Sequence, residues 1–393
     1  MPRGINPNGT TRLSRAEKTI MRNQTYLLIG VTICLLAVGC NSSERTPPKP
    51  LPKSNETADS QQTAPPTEPT DQDSNEDPDV ETSSLRFALL GELSGHANEV
   101  LSLAFSPQGA FLVAGDSRGD VKLWDVLATR EKLPLAGHRA NDFGTFDIYG
   151  VAYSRDGSWI ASAAFDGGVK IWDAATGKEK HLLRGHKEFD AVRAVTLSPD
   201  GETLASGGDD EVVILWKVDS GEMLGTLIDE SDDDRGDDIR SVTFSPDGSK
   251  LAVGGWDNRV LLWDFSDKKL LHTLEAHRGN VQSVDFSRDG KRLASAHWDK
   301  AVIVWDVATG KEQSPAFMHE GFVSCVKFAP DGQTLAASDG GGKVKLWNAL
   351  TGKELQTLDV HNKDVDAIDF SCDAKLLATS AGKTIKIWQA EFP

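Results

Sequence analysis

Short apolar segments alternate with glycine- and proline-containing turns from about residue 85 to the end of the chain. Within residues 272–306, apolar segments at 281–286, from 293 onward and at 302–305 have the length and composition of strands. Because glycine tolerates a positive φ angle, Arg288-Asp289-Gly290 predicts a tight turn between the first two. Ala308-Thr309-Gly310-Lys311 predicts a hairpin into a fourth strand. No helical period of useful length is found, so the pattern predicts an all-β fold.

The same unit recurs along the chain, and each copy closes on a tryptophan. These tryptophans lie 41 to 48 residues apart, at Trp124, Trp172, Trp216, Trp263, Trp305, Trp347 and Trp388. A period in the low forties with four strands per copy is typical of a β-propeller blade, because one small sheet cannot bury both of its faces and must stack on its neighbours. The sequence therefore predicts a seven-bladed propeller.

The unit resembles a WD40 repeat, with Ala276-His277 in the place of the family's Gly-His pair and Trp305-Asp306 as its Trp-Asp pair. The resemblance covers roughly residues 85–389. In that family a histidine, a serine or threonine, an aspartate and the tryptophan form a buried hydrogen-bonded tetrad. The resemblance implies three complete tetrads, consisting of His138, Ser162, Asp166 and Trp172, of His186, Ser206, Asp210 and Trp216, and of His277, Ser295, Asp299 and Trp305.

The other four copies depart from this pattern. Copy 1 has Arg118 in the aspartate position, copy 4 lacks the histidine, copy 6 has Ala337 and Gly341, and copy 7 is one residue short near Gly382. We expect these blades to be more loosely held.

The end of the chain leaves the last blade incomplete. Too few residues follow Trp388 for a hairpin and a fourth strand. Residues 86–93 resemble the family's N-terminal strand that pairs into the last blade, and this pairing removes an exposed sheet edge. We predict a ring closed by this strand.

Charge and the first 84 residues add a second part to the picture. The formal net charge is −17 and the pI is about 5.0, which argues against nucleic acid as a partner. In residues 1–39 a basic stretch precedes an apolar run from Tyr26 to Val38, too short to span a bilayer comfortably and typical of a secretory signal. Residues 36–40, Leu-Ala-Val-Gly-Cys, resemble the bacterial lipobox, which implies a lipid attached to Cys40.

Three domains follow from this interpretation. Residues 1–39 are a lipoprotein-type signal peptide, residues 40–84 are the lipidated Cys40 and a disordered proline-rich acidic linker, and residues 85–393 are the propeller. We expect a protein exported to a bacterial cell envelope and anchored by lipid to a membrane. An ordinary signal peptide, an uncleaved anchor and a start at Met21 remain open alternatives.

A search for chemistry predicts no catalytic residue, no metal site and no cofactor. The repeat histidines occur one per blade and have no zinc spacing. Residues 382–384, Gly-Lys-Thr, match the end of a phosphate-binding loop, but Leu377 stands where that loop requires its first glycine.

Variation between copies predicts a binding surface. In propellers of this type, the loops before the first strand and between the second and third strands form one face, the top, where partners commonly dock. The family's contact positions fall on Tyr149, Phe165, Arg193, Arg240, Trp256 and Trp298, with Leu101, Gln282 and Phe322 as weaker candidates. Aromatic and arginine side chains dominate protein-binding surfaces. Packing within loops is the alternative role for the two tryptophans.

We therefore expect a non-enzymatic scaffold that binds an unknown protein partner. The rival hypothesis is a small-ligand-binding or catalytic propeller, in which Arg193 and Arg240 grip an anion at the channel mouth. A structural assembly subunit is a third possibility. The acidic insert at residues 229–238 is expected to be a solvated loop, with attraction of a basic partner as the second interpretation.

Overall fold

A computed structural model describes residues 86–138, 147–188, 190–228, 238–275, 278–313 and 316–391. All regular structure in these residues is β, in seven antiparallel four-stranded sheets. Within this part of the chain, no helix has the length and apolar character needed to cross a membrane. The predicted leader, Cys40 and linker lie outside the described residues and stay predictions.

Each sheet is one blade, and in blades 1 to 6 the strands follow one another in chain order from the inside outward. Blade 1 comprises β2 to β5 (Val100–Phe105, Phe111–Asp116, Val121–Asp125, Arg130–Leu135), and blade 2 comprises β6 to β9 (Ile148–Tyr153, Trp159–Ala164, Gly168–Asp173, Glu179–Arg184). Blade 3 comprises β10 to β13 (Val192–Leu197, Thr203–Gly208, Val213–Lys217, Met223–Ile228), and blade 4 comprises β14 to β17 (Ile239–Phe244, Lys250–Gly255, Val260–Asp264, Lys269–Leu274). Blade 5 comprises β18 to β21 (Val281–Phe286, Arg292–His297, Ala301–Asp306, Phe317–Met318), and blade 6 comprises β22 to β25 (Val323–Phe328, Thr334–Asp339, Lys343–Asn348, Glu354–Asp359).

Blade 7 is assembled from both ends of the described chain. It contains β26 to β28 (Ala367–Phe370, Leu376–Ala381, Thr384–Glu391) and, as its outermost strand, β1 (Arg86–Ser94). β1 runs antiparallel to β28, from Arg86 opposite Glu391 to Ser94 opposite Thr384. Every blade thus has four strands, and the seven-bladed all-β propeller closed by an N-terminal strand is confirmed.

The closing strand is held by side chains as well as by the ladder. Phe87 and Leu93 are buried in the core shared by blades 6, 7 and 1. The amide of Gln356 in blade 6 brackets the backbone of Phe87, accepting from its N–H at 2.8 Å and donating to its carbonyl at 2.9 Å. The outer strand of blade 7 is therefore fixed to blade 6 too.

The turns between first and second strands follow the predicted chemistry. In residues 245–249, the Ser245 hydroxyl donates to Asp247 at 2.6 Å, Asp247 accepts from the backbone of Ser249 at 3.0 Å, and Gly248 has a φ of 75°. Gly290 of the Arg288-Asp289-Gly290 turn has a φ of 68°. Blade 7 departs, because Ala374 takes the positive φ, 58°, that glycine takes elsewhere.

The first strands form the inner ring, where each contacts the first strands of both neighbouring blades. All their residues are buried, and small residues occupy their third position where the blades converge. The hydroxyl of Ser241 accepts from the N–H of Val284 at 3.1 Å, and that of Ser283 accepts from the N–H of Val326 at 3.3 Å. Neighbouring blades are thus joined by hydrogen bonds as well as by apolar packing.

Two buried aspartates continue these links around blades 5, 6, 7 and 1. Asp285 accepts from the N–H of Phe328 at 2.7 Å, and Asp369 accepts from the N–H of Phe105 at 2.8 Å across the seam where the ring closes. Lys327 lies 3.6 Å from Asp285 and supplies the nearby positive charge. Burial raises the pKa of both carboxyls, that of Asp369 to about 7, because removing a carboxylate from water disfavours its charged form.

Candidate partner-binding face

The top face is built on one backbone irregularity that most blades share. A β-bulge in each of the first strands of blades 1 to 6 leaves one residue without a partner in the second strand. These bulge residues are Leu101, Tyr149, Arg193, Arg240, Gln282 and Ser324. Just beyond them, the residue after each second strand donates its N–H to the residue before the first strand, as Trp256 does to Asp238 at 3.1 Å. In each of these blades the bulge therefore places a side chain that varies between copies next to loops whose backbones are joined by a hydrogen bond.

Arg193 is the centre of a charged network between blades 2 and 3. Its Nε and Nη2 donate to the two carboxylate oxygens of Asp209 at 2.9 and 2.8 Å, and its guanidinium carbon lies 4.0 Å from the centre of the Tyr149 ring. The Tyr149 hydroxyl donates to Asp147 at 2.9 Å. Burial raises the pKa of Tyr149 and that of Asp147. Phe165, with Leu101, Tyr149 and Ala191, forms an apolar cluster beside this network.

Arg240 starts an aromatic series that crosses blades 4, 5 and 6. Its guanidinium carbon lies 4.1 Å from the centre of the Trp256 ring, and its Nη2 is 3.9 Å from an Asp238 oxygen. The ring centres of Trp256 and Trp298 are 6.0 Å apart, and those of Trp298 and Phe322 are 6.3 Å apart. We call Trp256, Trp298 and Phe322 the aromatic arc. All three are half-buried, so each keeps part of its ring on the surface.

A glycine in blade 6 makes the end of this arc possible. Gly340 occupies the position that Trp298 occupies in blade 5, and a Cβ built on Gly340 would fall 2.4 Å from a carbon of the Phe322 ring. No side chain fits at that distance. The aromatic ring of Phe322 thus explains why Gly340, which precedes the pattern-breaking Gly341 of copy 6, carries no side chain.

The six predicted contact residues therefore fall into two groups. Tyr149, Phe165 and Arg193 lie around blades 2 and 3, while Arg240, Trp256 and Trp298 lie on blades 4 and 5. Sequence reasoning did not identify the carboxylates that hold the two arginines. The Asp209-Asp210 doublet was the available signal, since only one of the two is needed in the tetrad.

Two of the implied tetrads are complete in the structure. In blade 3, His186 Nδ1 is 2.9 Å from Asp210, His186 Nε2 is 2.7 Å from the Ser206 hydroxyl, and Trp216 Nε1 donates to that hydroxyl at 2.8 Å. In blade 2 the corresponding distances are 3.3 Å from His138 to Asp166, 2.8 Å from His138 to Ser162, and 2.9 Å from Trp172 to Ser162. Burial lowers the pKa of His138, which favours the neutral ring.

The tetrad of blade 5 is described in part. Trp305 Nε1 donates to Ser295 at 2.7 Å, and Asp299 accepts from the backbone N–H of Arg278 at 3.0 Å. His277 lies outside the described residues, so its role stays a prediction.

In blades 1 and 6, an aspartate at a different position pairs with the repeat histidine. Asp116 and Asp339, the last residues of their second strands, lie 3.1 Å from His96 and 3.4 Å from His319. Burial alone would raise the pKa of Asp116, but hydrogen bonds from His96 and from the backbone outweigh it and lower that pKa. Arg118 and Gly341 therefore do not remove the aspartate–histidine pair, because a carboxylate two residues earlier replaces it.

The hydrogen-bond acceptor of the tryptophan indole N–H differs between blades. Trp124 Nε1 donates directly to His96 Nε2 at 3.3 Å, and Trp388 Nε1 donates to the Thr379 hydroxyl at 3.1 Å. In blades 4 and 6 the indole nitrogens of Trp263 and Trp347 have no hydrogen-bond partner among the described residues. Val253 and Ala337 occupy the serine position in these blades, which explains the missing acceptor.

Within the described ranges, no group of three or more histidine, cysteine, aspartate or glutamate side chains is arranged to hold a metal ion. The described tetrad histidines, His138 and His186, are engaged in structural hydrogen bonds. What the top face offers is a partly exposed aromatic surface and carboxylates around buried arginines, which suits molecular recognition.

Comparison with known proteins agrees with this architecture. The family model described as WD domain, G-beta repeat matches residues 87–125, 132–173, 177–217, 225–264, 268–306, 314–348 and 352–389. A 44-residue stretch is 48% identical to part of a chromatin assembly factor 1 protein of Gallus gallus, covering 11% of this chain and 8% of that protein. The matched stretch is about as long as one repeat. It shows that the two proteins share this kind of repeat, and it carries no information about the remainder of either chain. Each of the seven family matches spans the outer strand of one blade and the first three strands of the next. The chain belongs to the WD40 repeat family.

Proposed function

We propose that this protein is a non-enzymatic scaffold that binds another protein on the top face of its propeller. The observation that carries the proposal is the aromatic arc. Trp256, Trp298 and Phe322 form a continuous, partly exposed row across three blades, and large aromatic side chains contribute much contact area for little loss of conformational entropy. Protein binding is also the common role of WD40 propellers. The similarity to the chromatin assembly factor protein does not identify a partner for this chain, because the similarity covers only one repeat.

The small-ligand alternative receives less support from the geometry. In that hypothesis Arg193 and Arg240 grip an anion. Both carboxylate oxygens of Asp209 already accept hydrogen bonds from Arg193. An anion would have to displace Asp209 and would then leave a buried carboxylate without its cation, which is strongly unfavourable.

The proposal is tested by crosslinking and affinity capture from native membranes with the full chain. We expect the double variant Trp256→Ala, Trp298→Ala to lose about tenfold or more of the captured partner, because aromatic residues of this kind carry much of an interface's binding energy. Trp159→Ala is the matched control, since Trp159 packs under Lys180 at the start of β7, away from the top face. Equal loss in both variants, or capture unchanged in the double variant, contradicts the proposal.

We also propose that the propeller is held at a bacterial membrane through a lipid on Cys40, with residues 41–84 as a tether. The support is the apolar run of residues 26–38 followed by Gly39-Cys40. The acidic charge of the chain makes nucleic acid an unsuitable partner. We expect wild-type protein to fractionate with membranes and Cys40→Ser to leave the membrane fraction or accumulate uncleaved. Membrane association and processing that are unchanged in Cys40→Ser contradict the lipid anchor.

A further inference from the structure

One buried polar group on the top face lacks the partners that its neighbours have. Gln282 is only 1% exposed, and neither Oε1 nor Nε2 of its carboxamide has a hydrogen-bond partner among the described residues. Gln282 occupies the bulge of blade 5, the same position that Arg193 and Arg240 occupy in blades 3 and 4. Its side chain is therefore directed toward the top face, as theirs are.

The other polar bulge residues show that partners are the rule there. The Tyr149 hydroxyl donates to Asp147 at 2.9 Å, Arg193 is bound by Asp209 at 2.8 and 2.9 Å, and the Ser324 hydroxyl donates to the carbonyl of Val365 at 2.7 Å. A buried carboxamide that makes no hydrogen bond destabilises the fold. Its presence at this position points to a ligand that completes it.

A second unpartnered donor lies on the neighbouring blade. The indole nitrogen of Trp256 is buried and makes no hydrogen bond within the described residues, although its ring remains partly exposed. Gln282 and Trp256 thus offer two donor nitrogens, with three N–H groups between them, and one acceptor oxygen. A carboxamide that both donates and accepts is matched by a peptide bond, which presents an N–H and a carbonyl together.

The charge of the face changes on the other side of the ring. Glu99 and Asp147 directly precede the first strands of blades 1 and 2, and Asp364 and Asp366 lie in the segment just before the first strand of blade 7. Among the described residues of these loops the cations are Lys363, Arg118 and Lys383, and Lys363 lies 3.8 Å from Glu99. We call Glu99, Asp147, Asp364 and Asp366 the acidic arc. Among the described residues, its four carboxylates outnumber the three cations.

The directions of the pKa shifts of Asp364 and Asp147 agree with an excess of negative charge in the acidic arc. Burial raises the pKa of Asp364, and the negative charges of Asp339 and Glu99 raise it further. Burial likewise raises the pKa of Asp147, where Tyr149 and Arg193 act in the opposite direction and the charges of Asp116 and Glu99 add to the increase. A positively charged side chain brought to this arc would relieve that repulsion.

We propose that the top face binds an extended basic segment of the partner protein, whose main chain pairs with Gln282, whose apolar side chain packs on Trp298 and Phe322, and whose lysine or arginine side chains meet the acidic arc. This inference rests on the proposed function and names the chemistry of the partner. It assigns Gln282, a weaker candidate from sequence, a positioning role for the bound chain.

The test uses the full chain, immobilised, and a displayed library of random twelve-residue peptides as the probe. We expect the enriched peptides to combine at least one lysine or arginine with an aromatic or large aliphatic residue. A representative peptide should bind Gln282→Met and Trp298→Ala about tenfold or more weakly than wild type. Its affinity should also fall with rising salt and in the Glu99→Gln, Asp364→Asn double variant, because screening and neutralisation both remove the attraction.

Matched controls separate binding from folding. Gln333→Met changes an exposed glutamine in a turn between first and second strands and should bind as wild type does. Gln282→Met should melt no lower than wild type, since it removes an unsatisfied buried amide without changing the size of the side chain much. Loss of both binding and stability in Gln282→Met would indicate a structural role and would overturn the assignment.

The outcomes also distinguish this inference from the broader function. Enrichment of acidic peptides, or binding that is equal in wild type and Trp298→Ala, overturns the basic-segment proposal. So does a library that yields no peptide for this face. If the membrane capture still depends on Trp256 and Trp298 in any of these cases, the scaffold function stands and only the chemistry proposed for its partner is wrong.

Discussion

Deletion of β1, Arg86–Ser94, is expected to abolish the folded propeller. The deletion removes the outermost strand of blade 7, leaves the whole of β28 as an open edge, and takes Phe87 and Leu93 out of the core. Burial of two such side chains alone contributes about 3 to 6 kcal/mol, a large part of the stability of an ordinary domain. We expect loss of the cooperative melting transition and aggregation, measured by circular dichroism and size-exclusion chromatography.

The control for this deletion keeps the strand and changes its outer surface. Leu89 and Leu90 are 49% and 47% exposed, so Leu89→Ser with Leu90→Ser should retain a folded propeller and nearly the wild-type melting temperature. A deletion variant that melts as the wild type does would show that the ring does not depend on β1.

Ser206→Ala is expected to destabilise the propeller by about 3 kcal/mol, the second largest effect predicted here. The Ser206 hydroxyl lies between His186 Nε2 at 2.7 Å and Trp216 Nε1 at 2.8 Å. The substitution leaves a buried acceptor and a buried donor without a partner, and it adds only a small void. The change in the midpoint of urea denaturation, with the slope of the transition compared, measures the effect.

The reverse substitution in blade 6 is the matched control. His319 Nε2 and Trp347 Nε1 have no hydrogen-bond partner among the described residues, and Ala337 stands where Ser206 stands in blade 3. Ala337→Ser should therefore stabilise the protein by about 1 kcal/mol. Ala114→Ser in blade 1 should gain less, because Trp124 already donates to His96 at 3.3 Å. A destabilising Ala337→Ser together with a neutral Ser206→Ala would contradict the tetrad account.

The periodic features were the ones that the sequence could predict. A repeated tryptophan, short apolar segments and glycine turns fix the number of blades, since each copy reports the same local structure independently. The closing strand could be predicted because counting residues after Trp388 leaves blade 7 one strand short. The structure confirms both, with β1 paired to β28.

Side-chain replacements that depend on strand register could not be predicted. Asp116 and Asp339 reach their histidines from two residues before the usual position, and alignment by spacing alone marks those blades as incomplete. Hydrogen-bond geometry, which depends on where the second strand ends, decides which carboxylate reaches the ring.

The sequence pattern also could not predict which charged and aromatic groups surround the arginines of the top face. Arg193 and Arg240 have the residue type and position of exposed contact residues, yet both are buried against carboxylates and aromatic rings. Their partners come from separate loops, whose approach is a property of the assembled ring. The adjacency of Trp256, Trp298 and Phe322 across three blades is likewise a consequence of blade stacking.

The most direct test of the central claim is site-specific photocrosslinking in native membranes. A photoreactive phenylalanine analogue is placed at Phe322 on the top face or, in the comparison protein, at Gln333 in a turn between first and second strands on the opposite side of blade 6. A scaffold that binds through the aromatic arc predicts a discrete protein adduct from position 322 and none from position 333. Adducts of equal yield from both positions, or from position 333 alone, would contradict the assignment of the top face as the binding surface.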